Sequence, residues 1–302
     1  MIKKHGINIR PGMTITGKWH QHKYVVIKQL GSGSIGTVYL CESEGKYVAL
    51  KMSDLSTSIT IEVNVLKELD KVQGNRLGPY LIEVDDWVSA DGTFPFYVME
   101  YLHGTTIRHF IQKNGQHWIG VIMLQLLDGL AGLHESGWVF GDLKAENLLM
   151  VDSPPRIRWV DVGGTTRIGR AIKEYTEFYD RGYWGMGTRK AEPSYDLFAF
   201  VMVFLSIYYP KHFQRTNQPK QTIFQKIDQI KSLKPYRACF KKAIVGAYAT
   251  SSQMKNDLLK IVNHSQRNRQ RTKNKQQGSR FIEVVGITLI SLTYFIIAWF
   301  SF

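Results

Sequence analysis

The stretch from Tyr24 to Lys51, YVVIKQLGSGSIGTVYLCESEGKYVALK, constrains the fold more than any other. Apolar and β-branched residues alternate on both sides of a glycine cluster, the period-two pattern of half-buried strands. The glycines therefore join strand to strand, and Gly45 supplies a second turn. The string Gly31–Val38 fits G-x-G-x-x-G-x-V. In a dinucleotide-binding unit such glycines open a helix, whereas a strand follows here, which favours a β-turn-β cover over phosphates. A plain glycine-rich hairpin is the alternative, and only the downstream residues decide between them.

A helix is expected next, over STSITIEVNVLKELDKV, with Ser/Thr caps and with Val65, Leu66, Leu69 and Val72 at helical spacing. Two further strands should bracket Asp91-Gly92, the second being FPFYVMEYL. After Gly104 the pattern turns mostly helical, first in WIGVIMLQLLDGLAGLHESG and later in SYDLFAFVMVFLSIYY. Strands followed by helices argue for an α+β protein with a β-rich N-terminal lobe and a helical C-terminal lobe. No internal repeat interrupts this order.

The chemistry-bearing residues follow at fixed spacing. VALK places Lys51 15 residues after Gly36, at the end of the third strand, where an ammonium can meet phosphates. Such a lysine needs an acid on the next helix; Glu62 near its middle is preferred over Glu68 near its end. VFGDLKAENLL supplies Asp142, Lys144 and Asn147, and WVDVGG supplies Asp161 14 residues after Asn147. Phosphoryl transfer needs positioning and charge neutralisation more than covalent chemistry, and oxygen ligands at fixed separation hold the metal ions that provide it. Asp142 would orient the attacking hydroxyl and accept its proton. Lys144 would stabilise the γ-phosphate, and Asn147 and Asp161 would hold Mg²⁺, with Mn²⁺ as a substitute.

Through GSGSIGTV, VALK, GDLKAEN and DVG the chain resembles the bacterial eukaryotic-type (Hanks-type) serine/threonine protein kinases over about residues 20–262. It looks most like the short tail-anchored kinases of endospore-forming Bacillus relatives, a subgroup associated with sporulation and with DNA contact. The resemblance implies a bilobal kinase fold, ATP as phosphate donor and protein Ser/Thr hydroxyls as acceptors. It places Leu30, Gly31, Ser32, Gly33, Ser34, Gly36, Val38, Ala49, Lys51, Glu62, Met99, Glu100, Leu102 and Leu149 around the nucleotide. Asp196 matches the aspartate that begins the family's helix F and supports its catalytic loop. Aminoglycoside and choline phosphotransferases usually show HGD without the following lysine, so Lys144 disfavours a small-molecule substrate.

Departures from the family pattern are equally informative. Gly141 replaces an arginine that in many members binds an activation-loop phosphate, so this looks like a non-RD kinase. Phe140 and Val162 stand where the family has His and Phe; a size exchange between them is expected, because volume-conserving core changes are tolerated best. AEP at Ala191–Pro193 is a degenerate form of A-P-E. Thr165, Thr166, Thr176 and Thr188 are candidate autophosphorylation sites. Since Lys51, Asp142, Asn147 and Asp161 all remain, an active enzyme is expected; the alternative is a membrane-anchored pseudokinase scaffold binding nucleotide or DNA.

Charge is distributed unevenly. Of a net +14 over 302 residues, residues 205–280 hold 17 Lys/Arg against two acids, a net +15, so the remainder sums to −1. Such a field points to double-stranded DNA or to an anionic membrane surface. Arg267, Arg269, Arg271, Lys273, Lys275 and Arg280 lie directly before VVGITLISLTYFIIAWFSF, 19 uncharged residues of which 14 are apolar. At roughly 1.5 Å per residue that run nearly matches a hydrocarbon core of about 30 Å. One transmembrane helix with the body on the cytoplasmic side of the cell membrane follows from the positive-inside rule. MIKKHGINIRPG has no apolar signal-like run. The expected organisation is an N-terminal extension at 1–22, a kinase domain at 23–264 divided near residue 102, a basic linker at 265–280 and a membrane helix at 281–302. Cys41 and Cys239 are too few for a disulfide framework. His20 and His22 read as solvated residues rather than metal ligands.

Overall fold

The computed structural model describes residues 9–33, 36–71, 78–152, 154–264 and 267. Two compact units divide the chain, Met1–Lys255 and Asn256–Phe302. Described residues of the second unit are helical from 256 to 264. Among the described residues no helix is long and apolar enough to cross a membrane, and the apolar segment at 281–302 lies outside them.

The first unit begins with a six-stranded antiparallel sheet in the order β1-β2-β3-β4-β6-β5. Its strands are β1 (Thr14–Thr16), β2 (Lys23–Ser32), β3 (Thr37–Ser43), β4 (Lys46–Met52), β5 (Leu81–Ser89) and β6 (Gly92–Glu100). Helix α1 (Ser56–Lys71) enters between β4 and β5. The alternation read in the sequence is the burial pattern observed: Tyr24 and Val26 of β2 are buried while Lys23 and Val25 are exposed. Buried Tyr39, Leu50, Phe96 and Val98 fill the core, each such side chain contributing roughly 1.5–3 kcal/mol by leaving water.

Residues 9–22, set apart in the sequence as an extension, are woven into this sheet. Thr14–Thr16 pair with Lys23–Val25, and Ile15 is fully buried in the core. One residue later Gly17 bridges to Trp87 of β5, the opposite edge, and the Lys18 N–H donates to the Asp86 carbonyl at 2.8 Å. The segment thus joins both edges of the sheet, satisfying N–H and C=O groups that a free edge leaves open. Asp85 fixes the seam by accepting from the Trp19 and His20 N–H groups, both at 2.9 Å. A Cβ on Gly17 would fall 2.3 Å from the Asp85 carboxylate, so only glycine fits. His20 and His22 are half-exposed, yet their rings meet Asp85 at 3.1 Å and Glu83 at 2.5 Å. They are seam residues and not merely solvated ones, because strand pairing brings acids 61 to 65 residues distant beneath them.

Helical structure follows through β7 (Thr105–Thr106), α2 (Ile107–Asn114), α3 (Trp118–Glu135), β8 (Trp138–Val139), β9 (Leu148–Val151), β10 (Arg156–Trp159), β11 (Thr166–Arg167), α4 (Pro193–Tyr208), α5 (Pro219–Gln229) and α6 (Arg237–Ile244). Thr106 caps α2, its hydroxyl accepting from the His109 N–H, and proline opens both α4 and α5, where its missing N–H costs nothing. Every residue from Tyr195 to Ile207 is buried. A helix apolar on all sides belongs in a core, and Phe200 and Phe204 of α4 pack on Phe240 of α6. Cys41 and Cys239 are buried free thiols; burial pushes the Cys41 thiol up to about 12, which keeps it inert.

Candidate active site

Gly31, Ser32, Gly33 and Gly36, on either side of the β2–β3 connection, line a cleft of about 700 Å³, within the usual range for small-molecule sites. A Cβ at Gly36 would lie 2.4 Å from the Met52 carbonyl oxygen, so β3 can pass this close to β4 only as glycine. Gly31 and Gly33 face open space instead. Leu30, Gly31, Ser32, Gly33, Gly36, Val38, Ala49, Lys51, Met99, Glu100, Leu102, Asp142, Lys144, Asn147, Leu149 and Asp161 all line the cleft, joined by Tyr101, Val160 and Glu174. Ser34 lies outside the described residues.

Lys51 is buried at 5 % exposure. Its Nζ stands 2.7 Å from Glu62 Oε2 and 3.3 Å from Asp161 Oδ1. Of the two glutamates considered, Glu62 is therefore the one that meets the lysine. Tyr97 donates to the same Glu62 oxygen at 2.6 Å, holding the carboxylate in a fixed orientation. Burial disfavours the Lys51 charge, but Asp161 and Glu62 outweigh it and hold the ammonium above its ordinary pKa. Burial likewise works against the Asp161 carboxylate, yet Lys51 and the Gly163 N–H keep its pKa below the usual range. Both groups are charged at neutral pH.

On the opposite wall, Lys144 Nζ contacts Asp142 Oδ2, and the Thr176 hydroxyl donates to Asp142 Oδ1 at 3.1 Å. Asn147 Nδ2 donates to the Asp142 carbonyl at 3.1 Å, which leaves its Oδ1 as a ligand atom. With the half-exposed Asp161 carboxylate it offers the hard oxygen donors that Mg²⁺ and Mn²⁺ take. The donor chemistry fits a divalent cation.

Asp196 sits behind this loop with no exposure. It accepts from the Phe140 N–H at 2.7 Å and the Gly141 N–H at 3.0 Å, and its Oδ2 lies 2.9 Å from His134 Nε2. Gly141 adopts φ +80°, and a Cβ there would meet the Gly164 carbonyl oxygen at 2.4 Å. Phe140 packs edge-on against Trp159 at 4.7 Å, and both Phe140 and Val162 are buried. At the rim, Arg158 holds the Glu100 carboxylate at 2.6 Å and the Gly78 carbonyl at 2.8 Å, so the Glu100 side chain is committed to tying the two lobes. Spacing gave no signal for Arg158, Glu174 or Asp85. Thr176 entered only as one of four threonines; Thr165 is buried and Thr188 exposed.

Residues 24–279 match the protein kinase domain. The chain belongs to the protein kinase family. This kinase is 50% identical over 254 residues to serine/threonine-protein kinase YabT of Bacillus subtilis, covering 83% of this chain and 75% of the relative. It is 29% identical over 139 residues to the probable serine/threonine-protein kinase pknA2 of Bifidobacterium longum, 43% of this chain and 18% of that protein. Serine/threonine-protein kinase ppk31 of Schizosaccharomyces pombe is 29% identical over 164 residues, 52% of this chain and 15% of that protein. The resemblance to bacterial Hanks-type kinases holds over most of the chain, and the enzyme is a serine/threonine protein kinase that uses ATP and a divalent metal.

Proposed function

We propose that the kinase runs its transfer through Lys51, Glu62, Asp142, Lys144, Asn147 and Asp161, and that it does so as a non-RD enzyme anchored to the cytoplasmic face of the cell membrane. The observation that carries the first part is the convergence in one cleft of Lys51, paired with Glu62 and Asp161, and Asp142, paired with Lys144. Lys51 neutralises the nucleotide's α- and β-phosphates while Glu62 and Tyr97 keep it aimed. Asp142 orients the acceptor hydroxyl and takes its proton; Lys144, on the same carboxylate, neutralises charge on the γ-phosphate. Asn147 and Asp161 would hold Mg²⁺, which supplies charge neutralisation on the transferred group. Gly141 offers no side chain to an activation-loop phosphate, which supports catalysis independent of that phosphate.

The domain organisation we propose is a kinase domain at 23–264 whose sheet residues 9–22 complete, a basic linker at 265–280 and a membrane helix at 281–302. Hydropathy and flanking charge support the anchor. A second partner is double-stranded DNA. In the first unit Lys211, Arg215, Lys220, Lys231, Lys234 and Lys242 are exposed, and Asp228 pairs with Arg237 and Lys241. Arg267, also exposed, begins the second basic cluster; Arg269, Arg271, Lys273, Lys275 and Arg280 lie outside the described residues. Lysines and arginines of this kind contact phosphates without reading sequence, so affinity should fall steeply with salt.

The test is phosphate transfer from labelled ATP by wild type and Asp142→Asn, with and without double-stranded DNA or anionic vesicles, at two salt concentrations. Incorporation by wild type alone, raised by DNA at low salt, is expected. Stimulation by vesicles but not DNA would assign the basic region to lipid. Equal incorporation by both proteins would sink the role of Asp142, and none by either would favour a nucleotide- or DNA-binding scaffold.

A further inference from the structure

Between Asp161 and α4 the chain brings into the cleft a carboxylate that no motif marks. Glu174 lines the same cavity as Asp142, Lys144, Asn147 and Asp161. Its surroundings differ from those of every other acid there. Asp142 has Lys144, Asp161 has Lys51, Glu100 has Arg158, and Glu146 accepts from the Tyr179 hydroxyl at 3.3 Å. Glu174 is half-buried and has no hydrogen-bond or ion-pair partner among the described residues.

Its position relative to the acceptor follows from Thr176. That hydroxyl lies 3.1 Å from Asp142 Oδ1, so the chain at 174–176 borders the place where an incoming hydroxyl must stand. Two residues span at most about 7 Å of chain, which keeps the Glu174 backbone within reach of residues flanking the acceptor. The basic residues of its own segment do not neutralise it. Arg189 is drawn to Asp180 at 2.7 Å and stacks on Tyr175, and the Lys173 side chain is exposed. Burial, together with Asp142 and Asp161 and against a weaker pull from the Lys51 ammonium, which Glu62 and Asp161 already pair, makes the carboxylate harder to ionise than in water.

We propose that Glu174 is a specificity-determining residue that receives a lysine or arginine of the protein substrate placed beside the phosphoacceptor serine or threonine. A half-buried anion facing like charges is held at an electrostatic cost. A cation arriving with the substrate relieves it, a neutral side chain does not, and an acidic one adds repulsion. Arginine should exceed lysine, because its planar fork can bond both carboxylate oxygens. The proposal rests on the assignment of Asp142 as the residue that accepts the acceptor's proton.

The test uses full-length kinase and serine peptides carrying Arg, Gln or Glu at each position from three before to three after the acceptor, with kcat and KM measured for wild type, Glu174→Gln and Glu174→Lys. Wild type should favour Arg over Gln by about ten-fold in kcat/KM at one or two positions, the size expected of one partly desolvated pair. Glu174→Gln should bring that ratio close to one, mostly through KM, and Glu174→Lys should favour Glu. An Arg/Gln ratio unmoved by both substitutions overturns the proposal. So does a loss equal for all peptides that tracks Mg²⁺ or Mn²⁺ concentration, which would make Glu174 a cation ligand, and so does an enzyme that labels itself but no basic peptide. A wild type that transfers phosphate to nothing overturns the reading of the cleft as well.

Discussion

Asp196→Asn tests whether a buried carboxylate, remote from the nucleotide, sets the geometry of the catalytic loop. The native side chain uses its two oxygens on different backbone donors, Oδ2 on the Phe140 N–H and Oδ1 on the Gly141 N–H. Asparagine offers one oxygen. With that oxygen in the Oδ2 position, the interactions with Phe140 and His134 persist, but the new NH₂ group faces the Gly141 N–H. One buried donor is then unsatisfied, which costs roughly 1–3 kcal/mol, and the opposed donors add about 1 kcal/mol. A loss of about 3 kcal/mol translates into a Tm lower by about 6–12 °C for a domain of this size. Asp196→Ala, which strands both donors, should lose about twice as much. The assay is thermal unfolding of the full-length chain followed by tryptophan fluorescence, since Trp159 and Trp184 are fully buried and report on loss of the core. Turnover should fall with stability because Gly141 directly precedes Asp142. A Tm within 2 °C of wild type, with unchanged kcat, would show that these hydrogen bonds do not hold the loop.

Gly141→Ala should lower Tm and turnover, at a cost of about 1–3 kcal/mol, because φ +80° and the Gly164 carbonyl leave no room for a Cβ; a variant as stable as wild type refutes this, and Gly141→Arg should fare no better. Glu62→Gln removes the charged partner 2.7 Å from the buried Lys51 and should reduce kcat/KM at least ten-fold, while Glu68→Gln should not; equal effects would deny Glu62 its place. The Glu83 carboxylate raises the His22 pKa above its ordinary 6.5 by hydrogen bond and charge. The resulting stabilisation is complete below the unfolded pKa and is lost as pH rises through the folded one. The Tm difference between wild type and His22→Gln should therefore shrink from pH 5.5 to 9, and a constant difference would refute the linkage.

Local pattern and fixed spacing were enough for much of this kinase. Period-two alternation from Tyr24 to Lys51 specifies three strands and their turns, because burial of one face is written residue by residue into adjacent positions. The long helices α3 and α4 are legible for the same reason, one by its apolar density and the other by being apolar on every side. Lys51, Asp142, Asn147 and Asp161 could be picked out because each lies in a short motif at a set distance from the last. The Thr14–Thr16 strand was not legible: three residues carry too little periodicity, and the seam that follows it, from Gly17 to His20, depends on Asp85 to Trp87, more than 60 residues away. Short α5 and α6 were likewise obscured, their exposed faces dominated by the charge and polarity that marked residues 205–280 as basic, and α2 has only eight residues to carry a period.

What the sequence determined by itself is the family, the order of lobes and the identity of the residues that carry phosphate transfer, since these rest on neighbours in the chain. Tertiary structure alone decided who pairs with whom. It gave Glu100 to Arg158, placed Tyr97 beside Lys51 on the Glu62 carboxylate, seated Trp159 against Phe140 and left Glu174 without a hydrogen-bond or ion-pair partner among the described residues. Such pairings depend on chain crossings that bring together residues from 11 to more than 100 positions apart, and no periodicity records a crossing.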